Sequence, residues 1–135
     1  MAVLEHLGHE PMDFGCFDEN PADYPDLAYA AGTAVVNKRA DRAILICSAG
    51  MGMCIAANKI KGIRAVLCYD EFNARVSRTH NDANVLCLAG DMTGDDLLPK
   101  IVAVWLKTKF TGGRHARRLN KIRMIEDGKD PRNHE

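Results

Sequence analysis

The stretch ILICSAGMGMCIAANK, Ile44 to Lys59, joins a continuous apolar run to a helix-like segment through a turn of small residues. With Arg42 and Ala43 the run becomes RAILIC (42–47), the pattern of a strand buried on both faces. Two more such runs follow, RAVLC (64–68) and NVLCLAG (84–90). Helix-like segments alternate with them: about Met53–Lys59, DEFNARVSRTH (70–80), 95–108 and RHARRLNKIRMIED (114–127). Strands alternating with helices predict an α/β fold, a parallel sheet covered on both faces. In such sheets ligands collect at the carboxyl ends of strands, and the loop after Cys47 is at such an end.

Upstream, AVLEHLG (2–8) reads as the end of a helix stopped by Gly8. EPMDFG (10–15) reads as a short strand and CFDENPADY as a loop. Pro25 then opens a helix running to about Lys38, in the first-turn position that proline tolerates. Four strands are expected, at about 10–14, 42–47, 64–68 and 84–88. The chain opens in mid-helix, whereas an open parallel sheet ordinarily begins with a strand. One domain is expected over 1–126, followed by a polar, frayed tail over 127–135.

A length of 135 residues suits one compact domain, and an apolar share of 47% is enough for a core. Net formal charge is zero, so nothing global points to nucleic acid. Charge is nevertheless segregated. Residues 1–30 carry seven acids and no Lys or Arg, and residues 107–123 carry seven bases and no acid. The five cysteines form no C-x-x-C pair, and three lie in or at the end of strand-like runs. That pattern favours reduced thiols in a cytoplasmic protein over a disulfide framework or a zinc site. No run is long enough to span a membrane and no signal peptide is evident.

Three constellations could carry chemistry. In Cys47-Ser48-Ala49-Gly50-Met51-Gly52 the glycines let backbone N–H groups approach a ligand, with a helix amino terminus behind them. Such an arrangement stabilises an oxyanion; the same loop would equally suit a structural cysteine at a tight strand–helix turn. It is neither a Walker A motif nor a complete G-x-G-x-x-G, since Ile55 stands at the third glycine. In THNDAN (79–84), His80 and Asn81 could move protons and orient hydroxyls, or the segment could be plain turn chemistry before a strand. His80 precedes its strand, so it should lie opposite the Cys47 loop, and two subunits would be needed to unite them. In GGRHARR (112–118), Arg114 and Arg118 share one helix face, which suits a phosphate monoester. A solvated basic helix is the plainer reading, and the lack of interleaved aromatics speaks against nucleic acid. His6, His9, His115 and His134 read as surface residues.

These motifs, taken in order, resemble the type B ribose-5-phosphate isomerases and the related galactose-6-phosphate isomerase subunits. The likeness runs from LGHEPMDFG and DYPDLA through GMGM-IAANK-KGIRA and HNDANVL to GGRHARR, to about Ile125. It implies a Rossmann-like three-layer α/β/α sandwich and homodimers, or dimers of dimers, with the active site shared between subunits. It also implies aldose–ketose isomerisation of a phosphorylated sugar through an enediolate, with no cofactor or metal. Carried over by motif, Cys47 matches the base of one branch. The loop Ser48, Gly50, Met51 and Gly52 matches the enediolate-stabilising segment. His80 matches the histidine that opens the sugar ring, and Asn81 a sugar contact. Arg114 and Arg118 match the phosphate-binding arginines, and Asp23 and Tyr24 lie in a segment near the substrate.

The chain departs from that pattern in four places. The family's first strand and its Asp-His turn have no counterpart here, so either the start lies upstream or the sheet is covered differently. Ala49 replaces a Thr or Ser, Asp91 stands where many members carry an arginine, and Tyr69 replaces a frequent histidine. The leading expectation is an isomerase of ribose-5-phosphate and ribulose-5-phosphate in the pentose phosphate pathway. A different phosphosugar and a non-catalytic, partner-dependent phosphosugar-binding subunit are the alternatives.

Overall fold

The computed structural model describes residues 1–133. Among them, three strands form one parallel sheet: β1 (Ala43–Cys47), β2 (Ala65–Leu67) and β3 (Val85–Ala89), in the spatial order β1-β3-β2. β3 is central and all five of its residues are buried. β1 pairs with it from Ala43–Val85 to Cys47–Ala89, and β2 from Ala65–Val85 to Leu67–Cys87.

Side chains alternate across a strand, so each strand feeds two cores. Leu45, Ala65, Val85 and Cys87 meet Ala28 and Ala31 of α2 (Tyr24–Val36) and Met53 and Ala57 of α3 (Met51–Asn58). Leu86 and Leu88 meet Ala74 of α4 (Glu71–Thr79) and Ile101, Val102 and Trp105 of α5 (Leu97–Lys107). Leu4 of α1 (Ala2–His6) joins this second core. The result is the α/β/α sandwich expected from the alternating pattern. A sixth helix, α6 (Arg114–Glu126), follows α5.

Local chemistry sets the element ends. Gly8 stops α1 at φ +85°, and Pro25 sits in the first turn of α2. Asp70 caps α4 by accepting the Asn73 N–H at 2.7 Å. The expected strand at 10–14 does not form: residues 9–14 have no regular structure, and the outer edge of β1 has no strand beside it among the described residues. Pro11 has no N–H to donate, and Asp13 instead accepts the Gly15 N–H at 2.8 Å in a local turn. At the other end of the chain, Asp127 pairs with Lys61, and His134 lies outside the described residues.

Trp105 anchors the second core. It is fully buried, its ring lies under the Arg42 guanidinium at 5.3 Å and the Arg78 guanidinium at 5.9 Å. Arg42 also donates to the Trp105 and Leu106 carbonyls at 3.1 and 3.0 Å. Trp105→Ala should therefore cost about 3–5 kcal/mol in urea unfolding; a loss under about 1 kcal/mol would show that this core does not hold the sheet.

Candidate functional site

Parallel pairing brings the turns after β1 and β3 side by side. Cys47 ends β1, and its carbonyl accepts the Gly90 N–H at 2.8 Å. Gly50 then turns the chain into α3 with φ +73°. A side chain there would be strained, and its Cβ would fall 2.5 Å from Leu67 Cδ1. The Gly50 N–H donates to Cys47 Sγ at 3.1 Å, which fixes the sulfur against the amino end of the helix. The N–H groups of Met51, Gly52 and Met53 open α3, where a helix has no acceptors of its own for them. Cys47 is half-buried, and Ser48 and Met51 are exposed. Tyr24 joins this rim, because its ring lies so close to Gly52 that a Cβ there would sit 2.5 Å from it. Asp23, exposed, is the residue that begins α2.

The second group lies at the other rim of the sheet. α4 runs back against the strands and ends at His80, five residues before β3 begins. Much of THNDAN is architecture. Asn84 Oδ1 accepts the Arg64 N–H at 2.7 Å, and its amide donates to the Gly62 carbonyl at 2.9 Å, joining the starts of β2 and β3. Asp82, at φ +45°, accepts from Arg78 at 2.8 Å and from Arg64 at 3.4 Å. Arg78 also donates to the Ala83 and Thr108 carbonyls, at 2.6 and 3.2 Å. This network holds the turn and leaves His80 and Asn81 exposed.

α6 meets that turn. Thr111 donates to the Thr79 carbonyl through its N–H at 3.2 Å and its hydroxyl at 2.7 Å. Gly112 and Gly113 follow with φ +67° and +59° and lead into the helix. The rings of His80 and His115 then stack, with centroids 4.0 Å apart and planes within 13°. His115 is not the surface residue expected from sequence: it is 9% exposed, covered by this stack, while Arg114 and Arg118 beside it are exposed. Nothing in GGRHARR signals this, because the stack depends on how the glycine turn folds α6 back onto α4.

Two half-sites therefore lie at opposite rims. Cys47, Ser48, Gly50, Met51, Gly52 and Tyr24 occupy one, and His80, with Arg114 and Arg118 beside its stacking partner, the other. The five residues of β3 separate them by about 13 Å. Asp91, exposed, belongs to the thiol rim, where it accepts the Ser48 hydroxyl at 2.6 Å.

The five cysteines are free thiols. A hydrogen bond from Cys87 lowers Cys54 to about 7 against the effect of burial, and its bond to Cys54 together with burial raises Cys87. Burial pushes Cys68 up to about 11. Among the described residues, no group of three His, Cys, Asp or Glu side chains is placed to hold a metal ion. Nor is any described helix long and apolar enough to cross a membrane.

Comparison with known proteins gives a consistent picture. The family model described as Ribose/Galactose Isomerase matches residues 1–122. Ribose-5-phosphate isomerase B of Escherichia coli is 42% identical over 126 residues, covering 93% of this chain and 85% of that protein. D-erythrulose-4-phosphate isomerase of Pectobacterium atrosepticum is 42% identical over 108 residues, covering 80% and 70%. The solved structure of Clostridium thermocellum ribose-5-phosphate isomerase B superposes with a TM-score of 0.92 at 46% identity, covering 94% of this chain and 86% of that one.

The His115 environment has a pH signature. Burial, then His80 and the Arg114 and Arg118 guanidiniums, hold its pKa below the ordinary 6.5. Between the folded and unfolded values the unfolded chain binds more protons, so stability rises with pH. The contribution is complete above pH 6.5 and is lost as pH falls through the depressed folded value. An NMR titration should place the His115 midpoint below 6.5 and move it upward in Arg118→Ala; a midpoint at or above the ordinary value would contradict the packing described.

Proposed function

The chain belongs to the ribose/galactose isomerase family of aldose–ketose isomerases, and from that premise we propose that it interconverts ribose-5-phosphate and ribulose-5-phosphate in the cytoplasm, without a cofactor. The carrying observation is the Cys47 sulfur, held by the Gly50 N–H at 3.1 Å beside the unpaired N–H groups that open α3. A group that takes a proton and donors for the resulting oxyanion are what an enediolate requires.

In this reading His80, with Asn81 beside it, opens the sugar ring. The Cys47 sulfur removes the proton from C2 of the open aldose. Negative charge grows on the C1 oxygen and is met by the backbone N–H groups around Gly50 and Gly52. A proton passes from the C2 hydroxyl to the C1 oxygen, the proton held on the sulfur is delivered to C1, and C2 becomes the ketone carbon. Arg114 and Arg118, one turn apart on α6, hold the phosphate as a bidentate cationic pair. Tyr24, Asp23, Ser48 and Met51 border the sugar.

The two half-sites face opposite rims, so a complete site needs His80 and the arginines of a second copy, in a homodimer or a dimer of dimers. Exposed apolar side chains support such a contact. Ile46, Met51, Ile55 and Met92, at or near the thiol rim, are each more than half exposed. Ala49 favours a second reading on substrate. With no hydroxyl at that position, the loop offers less to a ribose and more room to another phosphosugar.

Cys47→Ala should abolish turnover of ribose-5-phosphate while leaving the thermal unfolding midpoint within a few degrees. Arg114→Ala or Arg118→Ala should raise KM at least about tenfold with a smaller effect on kcat. Activity retained without the Cys47 thiol would remove it as the base. No turnover by the folded, dimeric parent chain would favour a non-catalytic phosphosugar-binding subunit.

A further inference from the structure

The turn that carries the thiol is held from one side by a residue of another turn. Beyond the last paired residues, the Asp91 N–H donates to the Ser48 carbonyl at 3.2 Å. In return the Ser48 hydroxyl donates to Asp91 Oδ2 at 2.6 Å. Ser48 is thus gripped through both its backbone and its side chain by one residue, 43 positions away in sequence. With the Gly90 N–H on the Cys47 carbonyl at 2.8 Å, these bonds extend the β1–β3 ladder past the end of the sheet. They fix the segment between the thiol and Gly50, the two groups whose mutual distance sets the direction of the sulfur.

We propose that Asp91 is a positioning residue for the Cys47 thiol, acting through Ser48. The inference rests on the isomerase reading for its catalytic consequence, but the clamp itself stands on geometry. The functional part of Asp91 is its acceptor oxygen rather than its charge. Without the clamp, Ser48 keeps no side-chain partner, and the turn between β1 and α3 gains freedom just where Cys47 must meet C1 and C2 of the sugar. A near-attack geometry is sensitive to displacements well below the width of a side chain.

The test is a double-variant cycle with two readouts. Ser48→Ala and Asp91→Ala should each lower kcat about tenfold with KM within about twofold, and the double variant should be no worse than either single. Asp91→Asn keeps an acceptor for the hydroxyl and should stay within about twofold of the parent in kcat. The second readout needs no substrate: the rate of Cys47 alkylation by iodoacetamide, followed on its own peptide by mass spectrometry. It should rise about threefold or more in Ser48→Ala and Asp91→Ala but not in Asp91→Asn. Unchanged alkylation in the alanine variants, additive losses in the double variant, or an Asn variant as impaired as the Ala variant would each overturn the proposal. Should the parent fail to turn over any pentose phosphate, the ribose-5-phosphate reading falls, while the alkylation rates still decide the clamp.

Discussion

The register of β1 on β3, from Ala43–Val85 to Cys47–Ala89, determines where each candidate group lies. Because the strands are parallel, both of their carboxyl ends emerge at one rim. The turn bearing Cys47 and Gly50 is thereby set against the turn bearing Gly90 and Asp91. Helices that return between parallel strands must end at the other rim, and so α4 delivers His80 there. Slipping β1 by one residue would exchange Leu45 for its neighbours between the two cores and carry the Cys47 carbonyl away from the Gly90 N–H. The five buried residues of β3 are what make that slip costly.

The fold was legible wherever a sequence pattern had one physical solution. RAILIC, RAVLC and NVLCLAG each form a strand, but only NVLCLAG is buried on both faces; RAILIC was expected to be, and it lies at an edge of the described sheet with Ile46 more than half exposed. Pro25 and Gly8 mark helix ends by their backbone chemistry alone. EPMDFG misled because a short run with apolar residues says nothing about whether a partner strand lies beside it. Of the site, the glycine turn was readable because φ +73° at Gly50 and the approach of Leu67 both demand a residue without Cβ. The division of THNDAN into structural and exposed members was not. Asn84, Asp82, Asn81 and His80 are all polar, and only the network of Arg64 and Arg78 separates those that hold the turn from those that face outward. The His80–His115 stack and the Ser48–Asp91 bond were equally hidden. Each joins residues far apart in sequence through turns whose direction only the folded backbone sets.

Chemistry is divided between the rims in a way that suits one anionic substrate. In the proposed reading Arg114 and Arg118, exposed on α6, take the phosphate, and the nearly buried His115 ring, held below its ordinary pKa, favours the neutral form beside them. The thiol rim supplies backbone N–H groups, with no arginine or lysine in the turn from Cys47 to Gly52. A phosphosugar spanning both would have its phosphate at one end and its carbonyl at the other. With about 13 Å of sheet between the two groups in one chain, the proposed site takes its two ends from two copies.

Subunit complementation tests that requirement most directly. Cys47→Ala chains and His80→Ala chains, each inactive alone, are unfolded together, refolded as a mixture and assayed with ribose-5-phosphate. If each site takes Cys47 from one chain and His80 from the other, half of the dimers are mixed and each has one intact site. The mixture should then recover about a quarter of the parent rate. A rate no higher than the sum of the two variants, from a mixture shown to contain mixed dimers, would mean that each chain builds its site alone and would contradict the account.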